Sequence, residues 1–373
     1  MFSVCLWSQY PAQQQGGWFG LWWDMGGNIM RGDDRLICMQ PFTWCEIHAD
    51  GSVFACCPSW ISEPLGNLLQ TPFQDIWNGL VAQRLRQSVL DGTFGQCNHG
   101  RCPRLAGPVE PVMPLKQVKP DSLRDLMLHG ITRLPFGPRR INLCYDHRCN
   151  LACASCRRDF LQPGKRTQGR IRQIEARVRH AIAPHVEEMT VSGFGDPFFS
   201  ASYRLLLQDL DPEEFPRLHT IRLHTNGLLW DHGMWETMHR ARELVRSAEI
   251  SVDAASPSTY AINRRGGDFS RLLNNLAFIQ TLNIPVKLSF VVQQNNYLEM
   301  PDFVALAHGF GFEVYFSQLV NWGTFSEQDF ASRSVHHQGH PEHADFVRIL
   351  KRVACLDRVD VGNLLPLLNN LKK

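Results

Sequence analysis

Ile141-Asn142-Leu143-Cys144-Tyr145-Asp146-His147-Arg148-Cys149-Asn150-Leu151-Ala152-Cys153-Ala154-Ser155-Cys156 is the stretch on which the reading of this chain turns. It opens as a short β-like run, ends in three cysteines spaced C-x3-C-x2-C, and leaves through Arg157-Arg158-Asp159. Three thiolates this close along a chain can hold three irons of one 4Fe–4S cluster. The fourth iron then has no protein ligand nearby and is open to another ligand. Zinc would ask for a fourth ligand at matched spacing. Buried structural cysteines and disulfides are the other readings of the same residues.

The 373 residues, 44% of them hydrophobic, are enough for one large domain and a small one, each with its own core. A net charge of +2 gives no strong pull toward nucleic acid or membrane, and neither is expected as a partner. No stretch approaches the roughly 20 apolar residues of a membrane span. Met1 to Gln15 has no basic start and no long apolar run, so it does not read as a secretory signal. Twelve cysteines without such a signal suggest a reducing compartment and ligand or catalytic duty; the expected location is the cytoplasm.

Outward from the cysteine loop, residues 139–355 alternate strand and helix signals. Strands are expected at 140–145, 187–192, 218–225, 248–254, 285–293 and 312–319, and helices at 169–183, 200–209, 232–245, 268–282, 298–308 and 341–353. Six βα units argue for an α/β fold, a parallel sheet with helices outside that curls into a partial (β/α)6 barrel. The site is then expected at the C-terminal ends of the strands, where the cysteine loop falls. Residues 356–373 make a tail. Gly-rich dinucleotide fingerprints are absent.

Upstream, residues 1–33 crowd Trp18, Phe19, Trp22 and Trp23 among Gly and Gln and read as a poorly ordered arm. Residues 34–106 form a small module holding Cys38, Cys45, Cys56, Cys57, Cys97 and Cys102. Within it, Ile47 to Phe54 reads as a hairpin turning at Asp50-Gly51, and Pro72 to Leu90 has apolar residues at helical spacing. Residues 107–138, with Pro108, Pro111, Pro114 and Pro120, read as a linker.

Residues 139–319 resemble the radical SAM superfamily, whose signature is a three-cysteine loop after the first strand of such a core. Val191-Ser192-Gly193-Phe194-Gly195-Asp196-Pro197, after the second expected strand, is similar to the family's Gly-Gly-Glu-Pro motif. The resemblance gives Gly193, Phe194, Gly195, Asp196 and Pro197 a role in holding the SAM amino group. The chemistry agrees, since glycines let backbone approach a ligand and a carboxylate suits an ammonium. Weaker matches follow in order. Asn226, in His224-Thr225-Asn226-Gly227, ends the third strand. Asp253, in Ser251-Val252-Asp253, ends the fourth, where a polar residue often meets the SAM ribose. Arg264 to Phe269 resembles the next segment of relatives with extra clusters, and Gln293 ends the fifth strand. The residue before the third family cysteine is often an aromatic that packs on adenine. Here it is Ser155, so that role is not carried over.

The module resembles the SPASM/Twitch auxiliary-cluster domain, through Cys38, then Gly51-Ser52-Val53-Phe54-Ala55-Cys56, then Leu65-Gly66-Asn67, Ile76-Trp77-Asn78 and the closing Cys97 and Cys102. The resemblance makes Cys38, Cys56, Cys97 and Cys102 the ligands of one auxiliary 4Fe–4S cluster, with Cys57 as the alternative to Cys56. Structural zinc is the competing reading. Cys45 reads as a packed residue, and Cys5, Cys144 and Cys355 as ordinary. The family usually carries this module after the barrel; here it comes first.

Together the resemblances imply an enzyme with two 4Fe–4S clusters, one on Cys149, Cys153 and Cys156, using S-adenosyl-L-methionine and a flavodoxin- or ferredoxin-type electron donor. A 5′-deoxyadenosyl radical would take hydrogen from an unactivated carbon of a peptide side chain, with net oxidation or crosslinking through the auxiliary cluster. A sugar or aminocyclitol substrate is the alternative, and a non-catalytic zinc scaffold a third reading. Two further segments carry weaker signals. Asn321-Trp322-Gly323-Thr324 reads as a substrate wall or a capped turn at the mouth, and His336, His337, His340 and His343 as a polar loop rather than a metal site.

Overall fold

The computed structural model describes residues 35–61, 63–100, 102–106, 112–160, 164–191 and 195–369. The expected arm, Gly193 and Phe194 lie outside these residues.

Among the described residues the strands are β1 (Leu36–Ile37), β2 (Trp44–His48), β3 (Ser52–Phe54), β4 (Gly66–Asn67), β5 (Met113–Pro114), β6 (Arg140–Cys144), β7 (Glu188–Val191), β8 (Thr220–Thr225), β9 (Val245–Ser251), β10 (Val286–Val292), β11 (Glu313–Gln318) and β12 (Val359–Asp360). One sheet runs in the order β12-β11-β10-β9-β8-β7-β6-β2-β3-β4. From β12 through β2 every pairing is parallel. The six expected strands are β6 to β11, in chain order across the sheet, as right-handed crossovers place them.

Register separates the two faces. Ile47, Leu143, Val191, Leu223, Ala248 and Val286 form one row across six strands, and Cys45, Ile141, Met189, Ile221 and Val245 form another. Both rows are buried. Helices cover this face. Phe269–Gln280 buries Leu272, Leu276 and Ile279 at the i, i+4, i+7 spacing of one helical stripe. Phe303 of helix Met300–Gly309 packs its ring 4.8 Å from that of Phe290. The opposite face carries the intervening residues, because side chains alternate along a strand. Its rows are Glu46-Asn142-Thr190-Arg222-Ser247 and His224-Glu249-Lys287-Glu313. They are polar, and several are half-buried.

The module joins the sheet through its hairpin. β2 and β3 pair antiparallel about Asp50-Gly51, where Gly51 has φ +90°, and β2 lies parallel against β6 from Trp44↔Arg140 to His48↔Cys144. Cys45 is accordingly buried in the apolar row. The 72–90 run is two helices, Phe73–Trp77 and Leu80–Leu90. It breaks at Asn78, whose side chain exchanges hydrogen bonds with the Leu134 backbone (2.9 and 2.8 Å). From Val112 onward, the segment expected as a linker is packed. β5 pairs with β1, helix Asp121–Leu128 buries Leu123 and Met127, and the Arg86 guanidinium donates to the carbonyls of Pro41 and Thr132 while lying 4.5 Å over the Trp77 ring. The expected helix 232–245 stops early, as His232–Thr237 and Ala241–Leu244, because Val245 already pairs with Ile221. Helices Pro257–Asn263 and Glu327–Arg333 were not read from the sequence.

Candidate active site and the two cysteine groups

β6 to β10 run parallel, so Cys149, Asp196, Asn226, Asp253 and Gln293 all follow the C-terminal ends of their strands on one edge of the sheet. The loop after β6 is a turn in which the N–H groups of Cys156 and Arg157 bond the Cys153 carbonyl (2.9 and 3.0 Å). Cys153 is buried; Cys149 and Cys156 are partly so. Burial pushes the Cys149 thiol up to about 12, with the nearby Asp196 carboxylate adding to the shift. Burial also raises Cys153, against the pull of Arg264.

Each sulfur is met by a donor. Cys149 Sγ accepts from the Leu151 N–H (3.4 Å) and Asn226 Nδ2 (3.6 Å), Cys153 Sγ from Arg264 Nη1 (3.5 Å), and Cys156 Sγ from Arg157 Nη2 (3.5 Å). Thiols that resist ionising alone but face donors directed at their sulfurs suit a bound cationic group that takes the thiolate form. The donor set therefore fits an iron–sulfur cluster.

Neighbouring segments hold this loop. Arg265 donates from Nε to the Ala152 carbonyl (2.7 Å) and from Nη2 to those of Arg157 and Arg158, while the Ala152 N–H returns a bond to the Arg265 carbonyl. Gly195 packs so closely that a Cβ there would lie 2.2 Å from the Asp146 carbonyl oxygen, and the Asp196 N–H bonds the Arg148 carbonyl (2.8 Å). This close approach needs glycine.

The carboxylates read as ligand contacts are engaged inside the protein. Asp196 is buried, and its oxygens accept from the N–H groups of Phe198 (3.0 Å), Phe199 (3.2 Å) and Asn226 (3.0 Å) and from Thr225 Oγ1 (2.7 Å). Burial raises its carboxyl, and these donors pull the other way. Pro197 is buried in the turn that follows. Asp253, also buried and at φ +59°, accepts from the Val291 N–H (2.8 Å) and pairs with Arg264 Nη2 (2.7 Å). Asn226 places its amide between Cys149 Sγ and Asn150 Oδ1 (2.9 Å). Gln293 is buried; Arg333 reaches its Oε1 (3.4 Å), and its Nε2 has no hydrogen-bond partner among the described residues.

The second group gathers Cys38, Cys56, Cys97 and Cys102 from four points of the module. Cys56 lies in the electrostatic field of the other three, and burial pushes all four thiols up, Cys97 to about 12. Cys57, beside Cys56, is buried too. The Ile61↔Cys97 bridge and the bonds Asn98 N–H to Trp60 O (2.7 Å) and Cys102 N–H to Asn98 O (2.8 Å) hold the closing loop. Among the described residues, no group of three or more His, Cys, Asp or Glu stands close enough to hold a single metal ion.

The remaining candidates resolve locally. Asn321 Oδ1 accepts from the N–H groups of Gly323 and Phe325, a side-chain-capped turn, and Arg158 reaches the Thr324 carbonyl (3.3 Å). His340 bonds the Ser332 carbonyl and the Glu342 N–H, and His343 the Val335 carbonyl, so both serve their own loop. Sequence reasoning missed Arg157 and Arg264 as sulfur donors and missed the polar sheet face. The signal for the second was present: Glu188, Arg222, His224, Glu249 and Ser251 interrupt strands that would otherwise read as continuously apolar, as buried parallel strands do.

No helix among the described residues is long and apolar enough to cross a membrane. Residues 146–307 match the radical SAM superfamily, and residues 38–103 match SPASM, an iron–sulfur cluster-binding domain. The chain carries a radical SAM domain with a SPASM domain ahead of it. The two domains imply a 4Fe–4S cluster, an auxiliary iron–sulfur cluster and S-adenosylmethionine as cofactors.

Curated relatives include the GTP 3′,8-cyclase of Rhizobium etli, 26% identical over 203 residues, covering 52% of this chain and 56% of that protein. The GTP 3′,8-cyclase of Alkaliphilus metalliredigens is 28% identical over 187 residues, covering 48% and 55%. The chain thus spans about half the length of the curated relatives it matches. Among solved structures, Streptococcus suis SuiB bound to the precursor peptide SuiA aligns over 91% of this chain and 74% of that one, with TM-score 0.44 and 13% identity. Native anSMEcpe with bound AdoMet and a Kp18Cys peptide aligns over 57% and 58%, with TM-score 0.41 and 15% identity.

Proposed function

We propose that Cys149, Cys153 and Cys156 hold a 4Fe–4S cluster with one iron open to SAM, and that Cys38, Cys56, Cys97 and Cys102 hold a closed auxiliary cluster. When bound, the first cluster and SAM supply reductive cleavage of the sulfonium to a 5′-deoxyadenosyl radical that takes hydrogen from an unactivated carbon. The observation that carries this reading is the set of three thiols on one loop, each sulfur facing a donor, at the C-terminal edge of a parallel sheet.

SAM is assigned to the neighbourhood of Gly193, Phe194, Gly195, Asp196, Pro197, Asn226, Asp253 and Gln293. Their work divides. Gln293 Nε2 is a buried donor without a partner among the described residues. Asp196 and Asp253 spend their carboxylates on the protein and act by fixing backbone and neighbouring side chains.

The substrate is a polar molecule lying against the polar sheet face, and we assign it as a peptide side chain. Among the described residues, the cations Arg222, Lys287 and Arg140 of that face are already engaged. Arg222 contacts Glu188 (3.2 Å), Lys287 contacts Asp360 (3.6 Å), and Arg140 donates to Gln40 and Thr43. A nucleoside triphosphate would call for unspent cations, which argues against GTP here. A sugar or aminocyclitol alcohol is the second reading, favoured by the hydroxyl and imidazole series His224, Ser251 and Ser289 on the same face.

The test is anaerobic reconstitution, followed by incubation with SAM and dithionite beside peptide, aminocyclitol and GTP pools. The expected result is 5′-deoxyadenosine and a peptide mass lower by two hydrogens. Colourless protein holding zinc would end the enzyme reading, and turnover of GTP alone would end the peptide assignment.

A further inference from the structure

We propose that Arg264 and Arg157 are positioning residues that hold the charge of the three-thiolate group and set its reduction potential, with Asp253 moderating Arg264. The inference rests on the assignment of a 4Fe–4S cluster to Cys149, Cys153 and Cys156.

The geometry is direct. Arg157 is buried and Arg264 nearly so, and each donates to a different cysteine sulfur at 3.5 Å. Arg157 is fixed from behind by the His147 carbonyl (2.8 Å). Arg264, its side chain 11% exposed, is fixed by Asp253, 1% exposed, at 2.7 Å. Asp253 is in turn held by the Val291 N–H (2.8 Å), while its carbonyl accepts from Asn263 (2.9 Å) and Asn296 (3.0 Å). Among the described residues, Cys149 receives only neutral donors, Asn226 and a backbone N–H.

Reduction adds one negative charge to a group already ringed by thiolates. A buried cation at hydrogen-bond range stabilises the reduced form more than the oxidised one, because the attraction grows with the charge and is weakly screened inside the protein. An acid two contacts away acts with the opposite sign. Removing the cation and removing the acid should therefore move the potential in opposite directions, which loosened packing would not do.

The experiment is an EPR-monitored redox titration of the anaerobically reconstituted protein, with both cysteine groups present, without SAM. The barrel signal is the one missing from the Cys149/Cys153/Cys156 triple alanine variant. At a fixed potential, Arg264→Gln should lower the reduced-to-oxidised ratio about tenfold, or about 59 mV for one electron. Arg264→Lys should stay within about threefold of the parent, and Asp253→Asn, which suits the positive φ, should raise the ratio about threefold. Arg157→Gln should lower it as Arg264→Gln does.

Equal midpoints in parent and Arg264→Gln, with barrel iron retained, would overturn the proposal. So would a shift of Asp253→Asn in the same direction as Arg264→Gln. If Arg264→Gln loses the barrel iron, retention by Arg264→Lys supports the charge role and loss by both overturns it; Arg157→Gln and Arg157→Lys repeat the decision independently. A parent that holds no iron on these three cysteines defeats the cluster assignment itself, a different result from an unmoved midpoint.

Discussion

The two cysteine groups use the same ligand chemistry in different surroundings. The loop 149–156 puts three thiols within eight residues and takes its sulfur donors from three side chains, two of them guanidiniums, and from the Leu151 N–H. The module draws four thiols from positions spread over 38–102. The influences that lower their thiols are backbone N–H groups at Gln40, Arg104 and Leu105 and the cations Arg104 and Arg140. A three-thiol set leaves an iron for an outside ligand, whereas a four-thiol set closes the cluster. On the proposed assignment, one group serves chemistry with an outside ligand and the other holds or passes electrons.

The sharpest break of this comparison is loss of the open set. Replacing Cys149, Cys153 and Cys156 together by Ala should abolish 5′-deoxyadenosine formation and halve the iron, from about eight to about four per chain. Iron analysis beside chromatography of the SAM products checks both. A triple variant still holding all its iron would mean that this loop binds no cluster.

The closed set gives the next largest effect, confined to one readout. A Cys97→Ala/Cys102→Ala variant should still cleave SAM with dithionite but fail to convert substrate, because the product radical loses its electron acceptor. Full substrate turnover would reduce the module to a scaffold. Loss of 5′-deoxyadenosine with barrel iron intact would exchange the roles of the two groups.

The difference between the groups also explains what was legible. The 149–156 spacing is local, and the alternation of β6 to β11 is carried by apolar pairs that must face one way, so both can be read along the chain. The docking of the module could not. The Asp50-Gly51 turn announces the hairpin, but nothing near Trp44 names Arg140 as its partner across nearly a hundred residues. The packed 112–134 segment was hidden for a related reason. Its prolines read as a linker, yet Leu115, Val118, Leu123 and Met127 find their apolar surroundings only when distant parts of the chain meet. Likewise Arg264 is one of two adjacent arginines in sequence, and only the fold aims one at a sulfur and the other at backbone carbonyls.

Asp196 offers the smallest and most discriminating effect. Its motif points to the SAM ammonium, while two of its four hydrogen bonds close its own turn at Phe198 and Phe199 and two tie that turn to Thr225, the last residue of β8, and to Asn226. Asn226 in turn touches Cys149 Sγ, so the carboxylate reaches the open cysteine group through a second residue. Asp196→Ala would leave buried donors unpaired, at about 1–3 kcal/mol, and lower the melting temperature by roughly 2–12 °C in a domain of this size. Iron content should hold near the parent value while SAM affinity falls, because the three thiols remain but the residue steering Cys149 is loosened. Asp196→Asn, which keeps one carbonyl oxygen, should fall between. Calorimetry with titration of SAM onto the reconstituted protein separates the outcomes. A parent-like melting temperature with lost SAM binding would return the carboxylate to direct ammonium contact. Unchanged SAM affinity in a destabilised variant would confine Asp196 to the fold and move the ammonium site elsewhere on the strand edge.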